Sequence, residues 1–355
     1  MSHYEQRLEH DLDSIRSGIA LLGSTVHQGL SNSVDALLTS NVELAYATIL
    51  GDHPVNRTVD ALNHECHRFI AKHLPSAGHL RFISSSLRTI ILLERLGDYA
   101  ATVAKESAHL EKEVQGAFRN DLQVMAYNAL DMLGEAIRSY QEQDDALAKQ
   151  TITVAKKVDR EFVLAYADLV SLESDEFDRK DLFSRLNIIN MIERVSDQAK
   201  NLCEEVVFTK TGKTKQRRPF RLLFLDQKDD SSTQIAVALC RKFYSDRVTA
   251  FSAGLEPGPG LNPAVATMCS SKGLDLSGLD PSVLQKDDES WRSSDVFICI
   301  DSKIHDFMPK VPFGVSVVNW STLEAVDTTT LFHFIADKVE ALVLLVRGPE
   351  AQNIG

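Results

Sequence analysis

LRTIILLERLGDYAATVAKE, from Leu87 to Glu106, returns 99 residues later as LNIINMIERVSDQAKNLCEE, from Leu186 to Glu205. Seven of the 20 positions are identical without a gap: Leu87/Leu186, Ile90/Ile189, Glu94/Glu193, Arg95/Arg194, Asp98/Asp197, Ala100/Ala199 and Glu106/Glu205. The same offset pairs Val59-Asp60 with Val158-Asp159. A unit doubled at this length is two copies of one supersecondary structure. Acids kept in both copies point to a site that was doubled along with the fold.

The spacing of those acids decides the chemistry. Glu94 and Asp98 are four apart, so they share one helical face. Around the helix they fall beside Ile90 and Ala101 on one side and Leu87 and Ile91 on the other, within the apolar stripe. Two carboxylates at i and i+4 repel, and their burial is costly unless a cation or a proton intervenes. A third acid follows by counting. Asp60 lies 17 residues before a turn placed at Ala77, and Glu94 lies 17 after it. Asp159 and Glu193 stand in the same relation to Glu176. Equal counts from the turn of an antiparallel hairpin give equal heights. The expected groups are Asp60/Glu94/Asp98 and Asp159/Glu193/Asp197. Inward carboxylates from neighbouring helices suit hard or borderline cations such as iron, manganese, magnesium or zinc.

Residues 1–209 read as helix after helix, with glycine and proline scarce. Breaks are expected near 51–54, 75–78, 110–116, 141–145 and 173–177, with Pro54 able to kink a helix without ending it. That gives six main helices, three in each repeat (about 1–110 and 111–209). The run Thr209 to Phe220, TKTGKTKQRRPF, is polar and basic and reads as a linker over 210–220. Beyond it, over 221–355, short β-rich runs at 221–225, 248–252, 296–300 and 315–319 alternate with helical stretches at 234–244, 263–272 and 329–346. Alternation of this kind gives an α/β domain with a four-stranded parallel sheet.

Composition sets the compartment and the partners. The 355 residues carry a formal charge of -12. Residues 1–218 hold 32 acids and 26 bases, five of the bases being in the linker run. An acidic surface argues against nucleic acid as a partner. The five cysteines form no CxxC, which fits a reducing compartment. The charged first residues lack a signal-peptide core, and no segment reaches the roughly 18 apolar residues that span a bilayer. The expected location is cytoplasmic; the basic run reads first as a solvated tether, with peripheral contact at the inner membrane face as the alternative. Apolar faces of the helical half make a homo-oligomer plausible.

ERLGDYA and ERVSDQA, each ending a three-helix unit, resemble the metal-motif helices of the PhoU family, and the likeness covers roughly residues 4–210. The resemblance implies two three-helix bundles with E/DxxxD motifs that hold metal clusters, often iron, here at Glu94, Asp98, Glu193 and Asp197. It implies a negative regulator of phosphate uptake and of the phosphate-starvation response. The implied partners are the ATPase of the phosphate ABC transporter and a membrane sensor histidine kinase. Ser196 departs from the motif, which has glycine there.

The stretch Phe251 to Ser277, FSAGLEPGPGLNPAVATMCSSKGLDLS, resembles low-molecular-weight tyrosine phosphatases and thioredoxin-type arsenate reductases. Those enzymes place a phosphate loop, CxxNxxRS, after the first strand. Its positions fall here on Asp226, Asp229, Ser232 and Thr233. The cysteine nucleophile is replaced by aspartate and the clamping arginine is gone, so the loop is degenerate and the expectation is a domain without catalysis. The tryptophan that precedes the general acid is matched by Trp320, but Glu324-Ala325 stand where the acid element is expected. Two other readings stay open: a phosphatase or arsenate reductase with Asp226 as a non-standard nucleophile, and a metal-free helical scaffold.

Overall fold

The computed structural model describes residues 3–171, 178–212, 218–284, 294–309, 311, 315–322 and 327–348. They form two compact units, Met1–Gln216 and Arg217–Gly355.

The first unit is helical throughout: α1 (His3–Thr39), α2 (Val42–His73), α3 (Ala77–His109), α4 (Gly116–Glu142), α5 (Asp145–Ile152), α6 (Ala155–Ser171) and α7 (Arg179–Thr211). Among the described residues seven helices stand where six were expected, because the middle helix of the second copy breaks at Thr153 and Val154 into α5 and α6. In the first copy the break also moves. It falls at Ser40, which takes a positive φ of 53°, and Asn41 then caps α2 by accepting from the Leu44 amide at 3.0 Å. Pro54 stays inside α2. Proline withholds one amide from the carbonyl four residues earlier. That residue, Leu50, is exposed, so water can serve the carbonyl. The break expected at 173–177 lies outside the described residues.

One apolar core runs through all seven helices, from Leu8 and Ile15 of α1 to Leu202 and Val206 of α7. The two motif helices, α3 and α7, pack on each other, and the repeat marks their contacts. Glu106 of α3 accepts from Ser184 Oγ (2.7 Å) and Asn187 Nδ2 (2.8 Å) of α7. Glu205 of α7 accepts from Arg88 of α3 through two nitrogens, at 2.6 and 2.7 Å. Ser85 Oγ donates to the Glu205 carbonyl at 3.1 Å. Since 85/184, 88/187 and 106/205 are all 99 apart, the copies clasp one another about a pseudo-twofold axis. These two glutamates hold the fold together and do not belong to the site.

The second unit contains β1 (Phe220–Asp226), α8 (Ser232–Phe243), β2 (Val248–Gly254), α9 (Pro263–Ser271), β3 (Val296–Ile300), α10 (Ile304–Phe307), β4 (Ser316–Trp320) and α11 (Thr328–Arg347). The strands run parallel in the order β2-β1-β3-β4. Both faces of β1 are covered. Leu222 and Phe224 enter one core, and Leu223 and Leu225 enter another on the opposite face. A central parallel strand is therefore an unbroken apolar run. The chain leaves β1 toward β2, then returns across to β3. That switch opens a crevice beyond the carboxyl ends of β1 and β3, the usual ligand position in such sheets. The expected linker is shorter than 210–220, because α7 continues to Thr211 and β1 starts at Phe220. Residues 213–217 lie outside the described set.

Candidate functional site

Three connecting residues, Leu74, Pro75 and Ser76, join α2 to α3, so the hairpin is centred on Pro75. Moving the centre from Ala77 to Pro75 shifts every cross-helix partner by four residues. Asp98 lies 23 residues after Pro75, and Asp52 lies 23 before it; Glu94 is matched in the same way by Asn56. Asp60 is thus not the third acid of the first copy. It is exposed, and its carbonyl is bonded by His64 Nδ1 at 2.8 Å.

Asp52 takes that place. Asn56 Nδ2 donates to Asp52 Oδ2 at 2.8 Å, while Oδ1 is buried without a hydrogen-bond partner. A Cβ on Gly97 would stand 3.4 Å from that oxygen and 3.1 Å from Val55 Cγ1. The glycine of the motif thus lets α2 bring a carboxylate against α3. Loss of solvent and then the Asp52 charge raise the Asp98 carboxyl above its ordinary value. A groove of about 430 Å³ runs alongside, lined by Ser24, Gln28, Asn32, Gly51, Asp52 and Gly97. The sequence signal for this acid was the Asp52/Asn56 pair at i, i+4, hidden behind the Gly51–Pro54 break signal.

In the second copy Asp159, Glu193 and Asp197 lie within electrostatic range of one another. Burial, then Asp197, then Asp159 raise Glu193. Burial and then Asp197 raise Asp159, with Lys200 opposing. Ser196 is fully buried here, and its hydroxyl donates to the Glu193 carbonyl at 2.9 Å.

Among the described residues, no three His, Cys, Asp or Glu side chains converge closely enough to hold one metal ion. The donor chemistry still fits a hard cation: oxygen ligands only, crowded like charges, and one buried carboxylate oxygen without a donor. The acids meet as Asp52 with Asp98 in one copy and as Asp159 and Glu193 with Asp197 in the other; short of three convergent side chains, a cation there would draw its remaining ligands from water.

In the α/β unit, Asp226 ends β1 at the switch crevice. Its Oδ1 accepts from the amides of Lys228 (3.0 Å) and Asp229 (2.5 Å), and Thr233 Oγ1 reaches Oδ2 at 3.4 Å. Burial leads in pushing its carboxyl up to about 6, against those amide bonds. Asp229 is fully buried with φ 52°; Oδ2 accepts from the Ser282 amide at 2.9 Å. Ser232 and Thr233 are buried in the first turn of α8. Cys240 lies in α8 and Cys299 in β3, neither at the loop position after β1. Burial pushes Cys240 up to about 12 and Cys299 up to about 11. Trp320 closes β4, and Glu324-Ala325 lie outside the described residues.

Known proteins match the helical unit. The PhoU domain model matches residues 19–107 and 122–206. The phosphate-specific transport system accessory protein PhoU homolog of Pseudomonas aeruginosa is 30% identical over 215 residues, 59% of this chain and 88% of the relative. The crystal structure of the phosphate transport system regulatory protein PhoU from Streptococcus pneumoniae superposes with a TM-score of 0.55 at 26% identity. It covers 59% of this chain and 100% of that one. A thioredoxin-dependent arsenate reductase from Corynebacterium glutamicum is matched at 20% identity with a TM-score of 0.33, covering 63% of this chain and 98% of that one. The fold of the second unit rests on its own four parallel strands.

Proposed function

Because the chain belongs to the PhoU family, we propose that it is a regulator of phosphate transport. Its helical unit would carry the regulation, as a negative regulator of uptake and of the starvation response. The partners in this reading are the ATPase of the phosphate transporter and a membrane sensor histidine kinase. No helix among the described residues is long and apolar enough to cross a membrane. Docking at the inner face of the membrane would then go through those partners. The α/β unit would bind or modulate and not catalyse.

One observation supports the reading most: two copies of an acid motif, each pressed against a further carboxylate from the preceding helix arm. A bound cation, iron first and zinc, manganese or magnesium next, would neutralise carboxylates that otherwise repel. It would also lock the second helix of each bundle to the motif helix, so that metal occupancy sets the shape of the docking face. Asp52 and Asp159 carry the greatest weight here, because each joins two helices and not one.

Elemental analysis of protein purified without an affinity tag tests the metal. The expected result is iron or zinc near or above one per chain, lost when Glu94, Asp98, Glu193 and Asp197 are all changed to alanine. No metal in either protein would leave the helical scaffold as the better reading. Turnover of an aryl phosphate, or of arsenate with thioredoxin, abolished by Asp226→Asn, would overturn the non-catalytic reading of the second unit.

A further inference from the structure

The 99-residue offset provides a control within the chain. Along α6, Val158, Glu161, Ala165 and Leu169 are buried, and helical spacing turns Val163, Leu164 and Val170 away from them. Those three are 60, 56 and 66% exposed, and Tyr166 beside them is 45% exposed. The first repeat holds His64, Glu65, Ala71 and His67 at the same places. Neighbouring helices show the same contrast. Tyr127 of α4 and Phe183 of α7 are exposed where the first repeat has Gln28 and Ser84. Asn128 donates to Glu161 at 2.7 Å and accepts from Lys157 at 2.9 Å, which sets Tyr127 beside α6. The repeat therefore folds with a polar face at these positions, and its second version carries an apolar one. A helix apolar on both sides is ordinarily enclosed. An open patch of this extent marks a contact surface.

Area and charge identify what covers it. The six side chains offer on the order of 700 Å² per molecule, close to the roughly 800 Å² that each partner of a stable complex buries. Each end of the patch carries an exposed Asp-Arg pair, Asp159-Arg160 on α6 and Asp178-Arg179 at the start of α7. An anionic membrane, or a partner of one charge sign, would be repelled by half of those groups. A second molecule turned end for end sets each pair against the other, acid toward base, as a self-complementary twofold contact requires. Ala167, exposed between Val163 and Val170, is small enough to let two helix axes come close.

We propose that α6, flanked by Tyr127 and Phe183, docks a second molecule of this protein, with the two α6 helices antiparallel about a twofold axis near Ala167. The contact belongs to the second repeat alone, and the polar face of the first repeat stays outside it.

Sedimentation equilibrium of the full chain, run from roughly 0.1 to 50 µM, tests the association. The wild-type protein is dimeric in this range. Val163→His with Leu164→Glu, the residues of the first repeat at those places, weakens association at least about hundredfold, with helix content by circular dichroism unchanged. His64→Ala with Glu65→Ala leaves association as it was. Cross-linking reads the orientation, and decides alone if the double variant does not fold. All five native thiols are buried, so on oxidation Ala167→Cys gives a disulfide-linked dimer and Lys156→Cys does not. Three results overturn the proposal: a wild-type protein that stays monomeric, a folded Val163→His, Leu164→Glu variant that associates like the wild type, or a dimer in which Ala167→Cys links no faster than Lys156→Cys.

Discussion

The two copies of the repeat place the same motif in different surroundings. In the first, Gly97 leaves room for Asp52 on an unbroken α2, and the site opens onto a groove. In the second, Ser196 fills that room, the middle helix is broken, and Asp159 approaches from α6 with a lysine nearby. The packing partners differ as well. Phe82 and Ser86 of the first copy correspond by the 99-residue offset to Asp181 and Arg185 of the second. Phe82 is apolar filling, and Ser86 shares a hydrogen bond with Tyr140 at 3.0 Å. Asp181 accepts from the amides of Glu111 and Lys112, both at 3.0 Å. Arg185 donates to the carbonyls of Lys112 and Glu113, at 2.6 and 3.1 Å, over the Phe118 ring. A doubled fold has thus kept its acids and reassigned its neighbours. The second copy has taken on the task of holding the connection between the two.

The largest expected effect comes from that task. Arg185→Ala strips a buried cation from two carbonyls and from the neighbouring acid, and should cost the helical unit about 3 kcal/mol in urea unfolding. Ser86→Ala, its counterpart in the first copy, should cost about 1 kcal/mol. Equal costs would mean that the connection is held elsewhere. Next is the exchange of motif residues. Gly97→Ser crowds Val55 and Asp52 and should cost about 1–2 kcal/mol while lowering metal content in the first copy. Ser196→Gly should cost about 1 kcal/mol, through helix propensity, and leave metal unchanged.

A smaller effect follows from the raised carboxyls. In metal-free protein, Glu193 and Asp159 keep their protons above the ordinary values of 4.5 and 3.8 at which the unfolded chain releases them. The folded state therefore holds more protons in the window above those values, and stability falls as pH rises through it. Glu193→Gln should remove part of that slope and stabilise the metal-free protein by up to about 1 kcal/mol at neutral pH. A steeper slope in the variant would mean that the carboxylates are not repelling one another. The smallest effect separates two candidates in the first copy. Asp60→Ala should change neither stability nor metal content, whereas Asp52→Ala should empty one site in elemental analysis.

The doubled helical unit and the α/β unit with four parallel strands that follows it were legible in the sequence, because both rest on local spacing. Heights across a hairpin were not, because they depend on where the turn is centred. Two residues separate Ala77 from Pro75, and the error doubles across the hairpin; hence Asp60 in place of Asn56 and Asp52. The missed break at Ser40 has a similar origin. Glycine and proline at 51–54 look like stronger punctuation, yet an exposed Leu50 carbonyl tolerates Pro54, while a serine in left-handed conformation with an asparagine cap ends α1. The split of α5 from α6 has no comparable mark in the sequence.

The five cysteines share one environment. All are buried: Cys66 and Cys203 in the helical unit, Cys240, Cys269 and Cys299 in the α/β unit. Burial pushes Cys66 and Cys203 up to about 12, as it does Cys240. Thiols so protonated and enclosed react only when the surrounding core parts. Each unit therefore contains its own clock for local opening. Timed alkylation followed by mass measurement would read the two clocks separately in one unmodified chain, and would tell which unit loosens first when phosphate, metal or a partner is added or withdrawn.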